Sequence, residues 1–124
     1  MRKGTHAQYD IEYHIVWTTK YRVLEGRIAE RARELIRQSC NGMNVTIIKG
    51  TIGKEHIHLL ISCQSSLSVS KIVQQLKGKS SRTLQMEFKE LKKRYWGQHL
   101  WGSGYFSRSV GTVTKEIIKD YIEN

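Results

Sequence analysis

The 124-residue chain contains no proline, two cysteines and two phenylalanines. Without proline, no helix or strand is interrupted by a residue that lacks a backbone donor. Cys40 and Cys63 lie far apart and form no C-x-x-C pair, which excludes a cysteine-based zinc cluster. One pair is also too few for a disulfide framework, so two buried thiols in a reducing cytoplasm are expected. No apolar run approaches membrane length. The first ten residues, MRKGTHAQYD, carry charge with no apolar segment behind them. No signal peptide is therefore expected, and the chain reads as cytoplasmic. There is no internal repeat and no low-complexity linker. Acidic residues are scarce as well, 11 Asp and Glu against 21 Lys and Arg, for a net charge of +10. Such an excess on a small domain points to a polyanionic partner, nucleic acid first.

The length fits a single domain, residues 1–124. A chain of this size buries roughly two thirds of its unfolded surface, enough for a core without covalent staples. In YDIEYHIVWTT, Ile11, Tyr13, Ile15 and Trp17 alternate with Asp10, Glu12 and His14, the pattern of a half-buried strand. LEGRIAERARELIRQSC places Ile28, Ala32, Leu35 and Ile36 at helical spacing, and Asn41-Gly42 ends that helix. NVTIIKGTI and HIHLLISC are two further strands separated by a turn at Gly53, which predicts an antiparallel hairpin. Residues 68–95 read as a long helix with a break near Gly78-Lys79-Ser80-Ser81. GYFSRSVG is a fourth strand, and TKEIIKDYIEN a last helix with Thr114 as N-cap. The order is that of an α+β ferredoxin-like βαββαβ fold, an antiparallel sheet with helices on one face, followed by a C-terminal helix carrying Tyr121.

Period-two alternation then assigns faces. Ile57, Leu59, Ile61 and Cys63 pack under the helices, while His56, His58, Leu60 and Ser62 share the open face. Two imidazoles side by side on a strand suit metal ligation, and they also suit two ordinary surface histidines. Tyr121 belongs to the stripe Ile117, Ile118, Tyr121, Ile122. It reads either as a packing aromatic or as a nucleophile. A phenol with a pKa near 10 attacks a phosphodiester only if a metal polarises the phosphate.

Taken together, VWTTKYR (16–22), GKEHIHLLI (53–61) and LWGSGYFSRSVGTVTKEIIKDYIEN (100–124) resemble the single-tyrosine HUH transposases, small enzymes that mobilise insertion sequences as single-stranded DNA. The resemblance implies that His56 and His58 are metal ligands and Tyr121 the nucleophile. It implies attack on single-stranded DNA, a 5′-phosphotyrosine link and a free 3′-OH. It further implies recognition of imperfect DNA hairpins by a homodimer whose active site is shared between subunits. The family carries a glutamine four residues after the tyrosine as a third metal ligand, a position that here would be 125. With two imidazoles and only waters or a borrowed carboxylate such as Glu12, weak metal binding is expected. Imidazoles alone favour softer divalent ions, and Mg²⁺ needs added oxygen ligands. The expected cofactor is Mg²⁺ or Mn²⁺, as the resemblance implies, with Mn²⁺ bound more tightly.

Candidate DNA contacts are Arg2, Lys3, Lys20, Arg22, Lys71, Lys77, Lys79 and Arg82, and the cluster Lys89, Lys92, Lys93 and Arg94. Tyr21 is available to stack on an unpaired base. Trp101 and Tyr105 read as core, interface or stacking residues, core first. Two rival readings use the same fold. A non-catalytic module of RNA-recognition type would need aromatics on the central strands, where the chain has His56 and His58. A phosphodiesterase acting on RNA ends would want a second histidine motif, which is absent.

Overall fold

The alternation that begins at Asp10 becomes strand β1, Asp10–Thr18. After it come helix α1 (Gly26–Gly42), strands β2 (Thr46–Ile52) and β3 (His56–Gln64), helices α2 (Val69–Glu87) and α3 (Lys89–Tyr95), and strand β4 (Phe106–Val110). The computed structural model describes residues 10–95 and 100–110, with Tyr95 described through its backbone alone. The last helix expected from the sequence, Tyr121 included, lies outside the described residues.

The four strands form one antiparallel sheet in the order β2-β3-β1-β4. That is the ferredoxin-like order, with β1 and β3 central. Ile15 and Trp17 of β1 and Ile57, Leu59, Ile61 and Cys63 of β3 face the helices. There they meet Ala32, Leu35, Ile36 and Cys40 of α1 and Ile72, Val73, Leu76 and Leu84 of α2. Each fully buried Leu or Ile contributes about 1.5–3 kcal/mol. A bulge between Ile47 and Lys49 shifts the β2–β3 register. Ile47 and Ile52, five residues apart, would face opposite sides of a regular strand; the bulge lets both pack on the helix side. The opposite face has a small apolar cluster of its own, Leu60 and Val110 with Ile48 against them. Both cysteines are buried and no disulfide joins them, and burial pushes the Cys40 thiol up to about 12. No helix among the described residues is long and apolar enough to cross a membrane.

Local signals explain where the helices stop. α1 ends at Gly42, and Asn44 takes the left-handed conformation, φ 58°, which asparagine tolerates better than most residues. The Ser68 side chain caps α2 by accepting from the Lys71 amide at 3.1 Å. The expected break at Gly78–Ser81 does not occur. α2 continues to Glu87, and the interruption falls at Phe88, whose backbone is extended. The two serines are helical because a loop uses their hydroxyls. The Trp101 indole N–H donates to Ser80 Oγ at 2.9 Å, and the Leu100 amide donates to Ser81 Oγ at 3.1 Å. Gln85 Nε2 donates to the same Ser81 Oγ at 3.0 Å. Trp101 in turn meets Trp17 edge-to-face, ring centroids 5.8 Å apart. Trp101 is thus a core residue as expected, whereas Tyr105 is exposed. At the far end of α2, Arg31 of α1 grips Glu87 with two hydrogen bonds of 2.8 and 2.9 Å.

Ser81 is therefore the joint between α2 and the loop leading to β4. Ser81→Ala strands the Leu100 amide and is expected to cost about 1–3 kcal/mol. Urea denaturation measures it, and a loss below a few tenths of a kcal/mol would show that water takes over the acceptor role.

Candidate active site and basic groove

The β2–β3 turn delivers the histidine pair. The Gly53 amide donates to the His56 carbonyl at 2.8 Å, closing the hairpin at the first residue of β3. Across the central pairing His56 lies opposite Thr18 and His58 opposite Val16, so both imidazoles are on the face away from the helices. Their ring centroids are 4.6 Å apart and the planes perpendicular. The placement expected from alternation is the observed one. His58 Nδ1 is buried with no hydrogen-bond partner among the described residues. Burial first, then the neighbouring His56 and His14, holds the His58 imidazole below its ordinary pKa. At neutral pH the ring is uncharged, the form that ligates metals.

A third histidine belongs to this cluster. The His14 ring stacks nearly parallel to that of His58, centroids 6.1 Å apart at 15°, and Phe106 of β4 meets it edge-on at 6.1 Å. His14 is 2% exposed. Burial, and then Arg108, holds its pKa below the ordinary value. Alternation places His14 on the polar face of its strand, but only the β1–β3 register sets it diagonally beside His58. Among the described residues no group of three His, Cys, Asp or Glu could hold a metal ion. His14 is accordingly a neighbour of the pair. Glu12 is no substitute: it pairs with Ser62, four residues along β1 from the partner of His58, or about 13 Å at the rise of a strand.

The described basic candidates divide into three groups. Lys20, Lys77, Arg82 and Lys92 line one groove of about 810 Å³ between α2, α3 and the 100–103 loop, along with Gln85 and Met86 and with no carboxylate among the described residues of its wall. Lys77 is spoken for within the fold: its Nζ donates to the carbonyls of Gly102 at 2.9 Å and Gly104 at 3.0 Å, and burial lowers its pKa. Arg94 sits over the Tyr21 ring, 4.5 Å from the centroid, so one face of that ring is already covered by a cation. Arg22 approaches Glu55 at 4.0 Å. Lys71, Lys79, Lys89 and Lys93 are exposed and do not line the groove. Arg2, Lys3 and Tyr121 lie outside the described residues.

Among the described residues, a four-stranded ferredoxin-like sheet thus carries a histidine pair on the face away from its helices and a cationic groove at its side. Residues 7–124 match the family described as IS200-like transposases, and the chain belongs to it. Among relatives, it is 32% identical to the ISDra2 transposase TnpA of Deinococcus radiodurans, over all of this chain and 90% of that protein. It is 35% identical to the transposase for insertion sequence element IS200 of Salmonella typhimurium, over 96% of this chain and 79% of that one. The crystal structure of a candidate transposase from Deinococcus radiodurans R1 superposes with a TM-score of 0.80 at 31% identity, covering 100% of this chain and 97% of the other. A tyrosine transposase bound to a REP hairpin superposes with a TM-score of 0.64 at 10% identity, over 99% of this chain and 69% of that one, a likeness of fold alone.

The groove cations should separate by role. Lys77→Met removes the donor to two loop carbonyls and is expected to lower stability by about 1–3 kcal/mol. Arg82→Ala is expected to change stability by less than about 0.5 kcal/mol. Chemical denaturation of both variants checks this, and equal losses would contradict the assignment of Lys77 as a tie.

Proposed function

We propose that this transposase cleaves and rejoins single-stranded DNA at insertion-sequence ends through a 5′-phosphotyrosine intermediate, recognising DNA hairpins. The observation that carries the reading is the imidazole pair, His56 and His58, on the open face of a central strand in a chain of this family. Tyr121 Oη bonds to phosphorus as the P–O3′ bond breaks. The phenolic proton passes to solvent, and the departing oxygen is protonated to a free 3′-OH. Attack by a 3′-OH reverses the step and releases the tyrosine. One phosphoester replaces another, so joining needs no nucleotide cofactor.

His56 and His58 are the residues that would hold a divalent cation, Mg²⁺ or Mn²⁺. The lowered pKa of His58 and its buried Nδ1, without a hydrogen-bond partner among the described residues, suit that role. When bound, such an ion supplies positive charge beside the non-bridging oxygens, where the transition state gathers negative charge. Lys20, Arg82 and Lys92 give the groove a wall of cations, without carboxylates among the described residues, the chemistry that accepts a phosphate backbone. Bases carry their own recognition, for which the exposed Tyr21 is one stacking surface.

The same reading includes a homodimer with a shared active site. β2 and β4 are the outer strands of the sheet, and natural proteins seldom leave strand edges bare.

Incubation with single-stranded DNA and Mn²⁺ is expected to yield a covalent adduct on denaturing gels. Tyr121→Phe should abolish it, and His56→Ala or His58→Ala should abolish cleavage while DNA binding survives. Parallel loss of binding and cleavage in the histidine variants would make those residues structural. A second test mixes His56→Ala with Tyr121→Phe protein. Mixed dimers regain one working site if subunits share residues, and the mixture stays inactive if each subunit is self-sufficient.

A further inference from the structure

Ligand histidines are usually aimed by a hydrogen bond from the second ring nitrogen to a carboxylate or carbonyl. His58 Nδ1 has no such bond among the described residues. Among the described residues, what aims the two rings is shape. For His58 the shape is the parallel ring of His14. For His56 it is an absence. A Cβ placed on Gly53 would lie 2.8 Å from His56 Nε2, 2.9 Å from Cε1 and 3.3 Å from Cδ2. Carbon contacts settle at about 3.5–4.0 Å, so any other side chain at 53 collides with the imidazole.

The backbone does not ask for glycine here. Gly26 and Gly104 are the described glycines with left-handed φ, and Gly53 is not among them. Nor can the turn easily back away from the ring. The Glu55 carbonyl accepts from the Thr19 amide at 2.8 Å, and the Lys54 carbonyl accepts from the Leu24 amide at 2.9 Å. The turn is thus pinned to the segment following β1, and the imidazole is the part free to move.

We infer that Gly53 is a positioning residue: its missing side chain is the slot that seats the His56 ring perpendicular to His58. The consequence of filling the slot is specific. The fold keeps its core, hairpin and register, while His56 turns to another rotamer and the two imidazoles no longer converge. This inference rests on the reading of His56 and His58 as a metal-binding pair, but the seating of the ring can be observed without metal.

The experiment compares wild type, Gly53→Ala, His56→Ala and the double variant. In metal-free wild-type protein, NMR should show nuclear Overhauser contacts between the Gly53 α-protons and the His56 ring protons. Gly53→Ala should move the His56 ring resonances and leave the thermal midpoint within a degree or two. Calorimetry should show Mn²⁺ affinity falling about 10–100-fold, the range for losing a residue that orients a ligand. In a His56→Ala background, Gly53→Ala should change Mn²⁺ affinity no further. If Gly53→Ala leaves the His56 resonances in place, or lowers the melting temperature equally with and without the His56 ring, glycine serves the turn and the proposal is overturned. If wild-type protein binds no Mn²⁺ while the ring contacts are present, the metal reading fails and the seating of His56 by Gly53 stands.

Discussion

Everything in this structure hangs on the register of β1 against β3, from Asp10↔Gln64 to Thr18↔His56. The side-chain period of a strand is two, so one register decides the face of every residue on both central strands. A slip by one would bring His56 and His58 under α1 and α2 and push Ile57, Leu59 and Ile61 outward. It would bury two imidazoles without partners and expose three aliphatic side chains, penalties of several kcal/mol in sum. The apolar core therefore locks the register, and the register places the histidines. Stability and site are two readings of one alternation, one on each face of the sheet.

That is why the faces of β1 and β3 were legible in the sequence. Alternation is local, and Ile57, Leu59, Ile61 and Cys63 are buried as the pattern requires. The hairpin was legible for the same reason, since Gly53 lies between two β-rich runs. A helix break is expected at Gly78 because it and two serines are poor helix formers taken alone, yet α2 runs through them. Their hydroxyls are claimed by Trp101 and the Leu100 amide, some twenty residues away in the chain. Tertiary hydrogen bonds overrode propensity, while Phe88, an unremarkable residue in sequence, marks the actual interruption.

The site was read less completely, and the gaps share a cause. The histidine pair shows in the text of the sequence, but His14 joins it only through cross-strand register and the edge contact from Phe106. Along the chain the basic residues are chemically alike. Folding distinguishes them: Lys77 is tied to two carbonyls, Arg94 covers Tyr21, and Lys20, Arg82 and Lys92 are gathered from three segments into one groove. Lysine spacing along the chain holds none of this, because each partner comes from a loop or helix far away in sequence.

The two faces of the sheet also differ in how they hold their parts. On the helix side, aliphatic side chains interlock and the serines of α2 are hydrogen-bonded to the 100–101 loop, so substitutions there are felt by the whole fold. On the open side, imidazoles rest against rings and against the empty slot over Gly53, with geometry set by contact. Contact without hydrogen bonds fixes a ring only while its neighbours keep their size. Among the described residues it also leaves His58 Nδ1 without a hydrogen-bond partner. A carboxylate bonded to His58 Nδ1 would aim the ring more firmly, but it would also raise its pKa and favour the charged form that cannot ligate. Packing by His14 avoids that conflict: it orients His58 while burial keeps the ring neutral. The cost is sensitivity to volume at positions 14, 53 and 106, which lie outside the main core under the helices.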